Sequence, residues 1–330
     1  MKEKKSLWKT LTASREASLL IVLILLCAAI SIKSPAFLTF KSITDMLKNN
    51  AVVMIMALGM LSVLLIGGID ISIMSTLALS GMIIGMLAKY KVVTSTPILF
   101  AIAIAVGILC GAVVGLTAAY GRVLPIIATM GFMYIYRGLA YIISNSEWAS
   151  ADNLGSFKDF GTGRLFGVYY VIWVALVIYI VFYVVMKWTR IGRQVYAVGS
   201  NKEAALISGI NTKRVTFLVY TVMGTLAGLG GALAVSIYAS AQPNMLYGKE
   251  MDVIAACVIG GVSMSGGRGS VLGALMGSII LAVIAKALPL VGIDSIAQNT
   301  VKGVIIMSVV ILNVIAQLMM EKNVRKEREM

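Results

Sequence analysis

Side chains able to do chemistry are scarce in this sequence, and their scarcity narrows the possible functions. Among 330 residues there is no histidine, and only 14 are Asp or Glu. Imidazole general-base catalysis and His-ligated metal sites are therefore excluded. The three cysteines, Cys27, Cys110 and Cys257, lie in apolar runs without metal-ligand or disulfide spacing. There is no acid pair at a useful spacing and no Gly-x-x-x-x-Gly-Lys-Ser/Thr phosphate loop, since Gly248-Lys249-Glu250 and Gly267-Arg268-Gly269-Ser270 do not fit it. The chain is expected to be no enzyme and to carry no metal and no cofactor. Two ionisable residues stand out, Asp70 and Arg137, in or beside apolar stretches. A charge at membrane depth is expensive and marks a functional-site candidate. A structural Asp70 would accept hydrogen bonds from amides freed at a helix break. Arg137 needs a buried partner or water, and a structural ion pair is expected ahead of solute contact. Glu250 and Asp252 read as ordinary helix-start acids.

Asp70 belongs to Leu65-Ile66-Gly67-Gly68-Ile69-Asp70-Ile71-Ser72, one of two Gly-Gly segments that interrupt apolar runs. The other is Val258-Ile259-Gly260-Gly261-Val262-Ser263-Met264-Ser265, which aligns with the first without gaps. A same-orientation duplication and a chance match in a chain with 32 glycines both account for that likeness. Glycine permits backbone conformations closed to other residues. A broken helix in a membrane is tolerated only against protein or a watery cavity, where its freed backbone groups can meet a solute. Gly67, Gly68, Asp70, Ser72, Arg137, Gly260, Gly261 and Ser263 are the translocation-path candidates.

A third segment is polar. Ser200 followed by Glu203 has capping-box spacing, and Gly209 suits the left-handed residue that closes a helix. A short helix is expected over about 201–208. Ala204 and Ala205 keep its surface low enough for a partner's groove, and Glu203 sits at the favourable end of the helix dipole. An amphipathic connector lying on lipid fits the same residues.

The elements that must position these groups follow from composition. Hydrophobic residues make up 59% of the chain, charged residues 13%, and mean hydropathy is +0.95. Soluble proteins keep roughly a quarter of their residues charged. Apolar runs of the length needed to cross about 30 Å of hydrocarbon predict ten spans near 17–32, 51–66, 71–88, 97–117, 125–144, 168–186, 215–239, 251–264, 271–289 and 300–320. The expected fold is an all-α polytopic membrane protein with Gly-broken segments. An amino-terminal tail (1–16) precedes a membrane domain (17–320) whose largest loop is 187–214, and a tail (321–330) follows. The net charge of +14 is not read as nucleic-acid binding, because Lys and Arg cluster between the apolar runs. With both termini cytoplasmic, 17 of the 28 fall on that side and eight on the other, as the positive-inside rule requires. Small residues spaced by four, at Gly81/85, Gly107/111/115, Gly224/228 and Gly269/273/277, suit close helix packing in lipid, chiefly within the chain.

On these segments the chain resembles a known family. Glu203-Ala204-Ala205 followed by Gly209 is similar to the cytoplasmic "EAA…G" loop of ABC importer permeases. Leu65–Ser72 resembles the "GGIDLS" signature of ribose-type monosaccharide permeases. Ala255–Gly269 resembles that family's "AAVVIGGTSLSGGRG" stretch, departing from it at Cys257 and Ser263, and Ile126–Gly131 with Arg137-Gly138 follows its fifth-span pattern. The likeness runs over about 17–320. It implies the permease subunit of a binding-protein-dependent sugar importer in the bacterial inner membrane, working by alternating access. It also implies partners: an ABC ATPase subunit that uses the ATP and docks on Glu203, Ala204, Ala205 and Gly209, an extracytoplasmic sugar-binding protein, a second permease copy or close homologue, and membrane lipid. A branched-chain amino-acid ABC permease and an ion-coupled secondary transporter are the alternatives.

Overall fold

The computed structural model describes residues 15–290, 292–294, 297–301, 303, 304, 307, 308 and 311. The expected carboxy-terminal tail, most of the tenth expected span and most of the amino-terminal tail lie outside the described residues. The described chain is helical apart from one two-stranded ribbon. In order it forms α1 (Arg15–Lys33), α2 (Phe40–Leu65), α3 (Ile73–Lys89), α4 (Thr96–Tyr120), α5 (Pro125–Ser144), α6 (Asp159–Thr162), β1 (Arg164–Leu165), β2 (Val168–Tyr169), α7 (Tyr170–Trp188), α8 (Arg190–Ser200), α9 (Lys202–Ile207), α10 (Thr212–Tyr238), α11 (Lys249–Ile259) and α12 (Val271–Leu290).

Seven of these helices are long and apolar enough to cross a membrane: α1, α2, α4, α5, α7, α10 and α12. The third expected span becomes α3, whose 17 residues reach about 25 Å at 1.5 Å per residue. The eighth is corrected. Its helix, α11, has 11 residues and covers only about 16 Å. The cause is local: Gly261 takes φ +90°, so the helix closes there and the chain turns back into α12.

Local chemistry sets the boundaries. Pro97 and Pro125 occupy the first turns of α4 and α5, where a missing N–H costs nothing. The Thr39 hydroxyl accepts from Ser42 N to start α2, and Asn145 in the left-handed region ends α5. Packing then sorts the helices. α10 lies along α4 and also meets α3 and α2, α5 packs on α3, and α12 packs between α2 and α11. α2 and α10 are the most enclosed, while α1 touches the bundle mainly through α12.

The glycine stripes explain the closest crossing. A Cβ on Gly107, Gly111, Gly224 or Gly228 would strike backbone atoms of the facing helix, so α4 and α10 touch main chain to main chain. Gly81 meets Gly231, and Gly273 and Gly277 meet Gly260 and Ala256, in the same manner. The stripes are intramolecular packing, the source of helix association in lipid. Gly269 is the exception, lying before α12 rather than in it. Side chains add cross-helix bonds: Tyr136 OH donates to Cys110 O at 2.9 Å and Tyr179 OH to Met54 O at 2.8 Å.

One end of the bundle carries α8 and α9. The other carries α6 and the β1–β2 hairpin, where Phe157 and Phe160 pack on Phe100 with ring centroids 5.3 and 5.0 Å away.

Candidate functional site

α9 projects as a six-residue knob between α8 and α10. Its start differs from the Ser200 cap expected from spacing. Ser200 is the last helical residue of α8, so capping passes to the extended Asn201, whose Oδ1 accepts from Ala204 N at 2.9 Å. Glu203 still falls in the first turn. The knob closes as Gly209 predicts. At φ +79° Gly209 N donates to Leu206 O and Ile210 N to Ala205 O, both at 3.0 Å. Glu203, Ala204 and Gly209 are exposed and Ala205 is buried. Leu206 and Ile207, which the sequence reading passed over, are 62% and 88% exposed at the tip. The tip of the knob is thus apolar and flanked by an acid.

Beneath the knob, the two Gly-Gly segments and the α8–α9 junction meet. Gly267 N donates to Leu65 O at 2.9 Å, and Tyr196 OH on α8 donates to Gly269 O at 2.9 Å. A Cβ on Gly199 would land on Leu65 O and Gly267 N, and one on Gly266 would crowd Gly199 O, Gly67 N and Leu65 O. Three segments far apart in sequence are thus in backbone contact. Gly199 and Tyr196 were not singled out by sequence reasoning; the only local signal was a glycine between two polar helices. Burial raises the Tyr196 phenol above its ordinary pKa, which keeps the donor protonated.

The two Gly-Gly segments share geometry as well as letters. After α2, Gly67 (φ +76°) donates to Leu64 O and Gly68 N to Val63 O; after α11, Gly261 donates to Val258 O and Val262 N to Cys257 O. Each closure leads into a side-chain turn: Asp70 Oδ1 accepts from Ser72 N at 2.9 Å and Ser72 Oγ at 2.6 Å, and Ser263 Oγ accepts from Ser265 N at 3.2 Å. The turns superpose in the gapless alignment, whereas the helix closures are displaced by one residue. Asp70 is buried and has the structural role weighed for it, holding the turn that opens α3. Tyr220 of α10 lies against Gly68, with its hydroxyl buried and without a partner. Thr129 Oγ1 of α5 donates to Ile69 O at 3.3 Å, fastening the same segment to α5.

Arg137 is eight residues along α5 from Thr129, about 12 Å away. The expected ion pair is corrected. Its NH1 donates to Pro243 O at 2.7 Å and Met245 O at 3.1 Å, two carbonyls of the α10–α11 connection. That connection folds back against α5 and presents the carbonyls, which periodicity could not reveal. One flank of α5 is bare: Ile127, Tyr134 and Ile142 are 57%, 67% and 75% exposed, and Gly131 and Gly138 have no neighbour within 4 Å of a Cβ. The structure therefore joins Gly67, Gly68, Asp70, Ser72 and the Ser263–Gly269 loop near the knob, and sets Arg137 apart toward the other end. Gly260 and Gly261 are buried, and Gly260 packs against Gly273 of α12. Among the described residues no three His, Cys, Asp or Glu side chains gather as metal ligands.

Comparison with known proteins agrees with this architecture. Residues 42–313 match the family described as branched-chain amino acid transport system / permease component. The chain is 37% identical over 301 residues to the ribose import permease of Escherichia coli (strain K12), covering 90% of this chain and 93% of that one. It is 32% identical over 312 residues to the L-arabinose ABC transporter permease of Azospirillum brasilense, covering 93% and 88%. The galactose/methyl galactoside import permease of Escherichia coli (strain K12) is 32% identical over 320 residues, covering 92% and 95%. No solved structure matches the chain. A family match across most of the sequence, with relatives aligned nearly end to end, means that this chain belongs to the branched-chain amino acid transport system / permease component family and is a multi-pass membrane permease.

Proposed function

We propose that the chain is the membrane-spanning subunit of an ATP-driven importer that moves a monosaccharide, a ribose-like pentose or similar sugar, inward by alternating access. The observation that carries this reading is the wiring under α9. A knob with an exposed apolar tip rests on a junction whose backbone bonds reach both Gly-Gly segments. Force applied at Glu203, Ala204 and Gly209 would reach Leu65–Ser72 and Ser263–Gly269 without an intervening flexible loop. An ABC ATPase subunit is the partner for the knob. It uses the ATP, and the permease itself needs no cofactor. The α9 end and both termini face the cytoplasm in this reading. An extracytoplasmic sugar-binding protein docks on the opposite end. A second copy or close homologue covers the bare flank of α5, enclosing a path past Arg137 and the Asp70 turn. Lipid surrounds the rest, and no nucleic acid takes part.

A sugar is favoured over a branched-chain amino acid by the ribose, arabinose and galactose import permeases among the relatives. The spans also offer few fixed charges for a zwitterion. An ion-coupled carrier usually needs mid-membrane acids or histidines as coupling groups, and this chain offers little beyond Asp70, which holds its own turn. The test is uptake of labelled D-ribose and L-leucine into proteoliposomes holding the permease, its ATPase and its binding protein. ATP-dependent ribose uptake is expected. Uptake by the permease alone, driven by an ion gradient, would overturn the reading, and leucine uptake alone would transfer it to amino acids.

A further inference from the structure

The surroundings of Arg137 are incomplete in a specific way. Its NH1 is occupied by the Pro243 and Met245 carbonyls, but its Nε is buried without a hydrogen-bond partner. Leaving a buried donor unpaired is costly, the more so when it is charged, so a native structure retains one for a reason. A carboxylate stands nearby. Glu250, in the first turn of α11, is only 8% exposed and belongs to neither ion pair among the described residues. It is the leading charged neighbour of the guanidinium, yet the two are not in direct contact: the ion pairs among the described residues are Lys89–Glu147 and Lys249–Asp252. The third member is Tyr247, 68% exposed, whose ring centroid lies 5.5 Å from the guanidinium carbon. An unpaired donor, a carboxylate outside any ion pair and an exposed aromatic ring thus lie together beside the bare flank of α5.

Adjacent hydroxyls suit both groups at once, because each hydroxyl accepts and donates. We propose that Arg137, Glu250 and Tyr247 form a recognition point for a neutral polyol, whose vicinal hydroxyls bridge the Nε–H and the carboxylate while its C–H face lies on the Tyr247 ring. This rests on the sugar-importer reading and deepens it by assigning sugar contacts to the permease. Arg137 then has two tasks. Its NH1 holds the α10–α11 connection closed, and its Nε senses the arriving solute at the end opposite α9.

The test uses the full-length permease in lipid nanodiscs, with D-ribose and L-leucine as probes and saturation-transfer NMR as the readout. Wild type is expected to bind ribose and not leucine. Arg137→Lys, which keeps the charge and loses Nε, and Glu250→Ala should each weaken ribose binding at least about tenfold, the scale of a charged hydrogen bond. Tyr247→Phe should bind as wild type, whereas Tyr247→Ala should not. Tyr247 is exposed, so its variants test the site even where Arg137→Lys or Glu250→Ala disturbs folding; thermal melting reports which is the case. Equal ribose binding by wild type and Tyr247→Ala, or binding of leucine alone, overturns the recognition point. Ribose uptake by the complete importer together with either result would leave the proposed function standing, whereas an importer that takes up no sugar would defeat that function itself.

Discussion

Replacing Gly199 by alanine probes the junction under α9 with one methyl group. The new Cβ would overlap Leu65 O and Gly267 N, which are bonded to each other at 2.9 Å. Both are backbone atoms, so no side chain can rotate away. Restoring ordinary carbon–oxygen contact requires the segments to part by roughly 1–2 Å. Overpacking of this kind costs about 1–3 kcal/mol, and losing the Gly267–Leu65 bond adds about 1 kcal/mol. Alanine's better helix propensity at the end of α8 returns up to about 1 kcal/mol. The net cost is about 1–3 kcal/mol, or roughly 5–150-fold in an equilibrium at 1.4 kcal/mol per factor of ten. With the coupling role proposed for the knob, sugar uptake per ATP hydrolysed should fall at least about fivefold. The assay is paired uptake and ATP hydrolysis in proteoliposomes, with melting of the purified permease alongside. Wild-type melting together with wild-type coupling would refute the idea that these backbones form a rigid contact.

Three other outcomes are expected. Replacing Glu203 and Gly209 together, by Gln and Val, should uncouple ATP hydrolysis from uptake while membrane levels hold; Val at φ +79° alone costs about 1–2 kcal/mol, and normal transport by the double variant would remove the coupling role from α9. Gly224→Leu drives a side chain into the Gly107 and Gly111 backbone and should abolish the monodisperse size-exclusion peak, where Gly131→Leu, at an open position, should not destroy the helix bundle. Asp70→Ala removes the acceptor shared by Ser72 N and Oγ and should cost about 2–3 kcal/mol in thermal stability, with Asp70→Asn retaining most of it; an unchanged melting temperature in Asp70→Ala would show that the turn holds itself.

Much of the architecture was legible because lipid makes severe demands on sequence. A span must be apolar along its length, so the seven membrane-length helices and α3 lie where the apolar runs are. Glycines mark helix ends and close crossings, which made Gly67, Gly209 and the Gly107/Gly111 stripe readable in advance. Local rules still failed by a residue or a few where two signals competed. Ser200 had the spacing of a cap, but α8 claimed it as a helical residue and Asn201 took the role. The run 251–264 had the composition of a span, but the Gly261 turn cut its helix to half a crossing.

The sequence by itself determined that this is a helical membrane protein with broken segments and one exposed polar knob, since hydropathy, capping and left-handed glycine positions are properties of a few neighbouring residues. Tertiary structure alone decided that Gly199, Leu65 and Gly267 touch, and that Arg137 is held by two carbonyls rather than an acid, with its Nε left unpaired. These contacts join residues from about 70 to about 200 positions apart. Their partners are main-chain atoms or single side chains, which leave no periodic trace in a sequence.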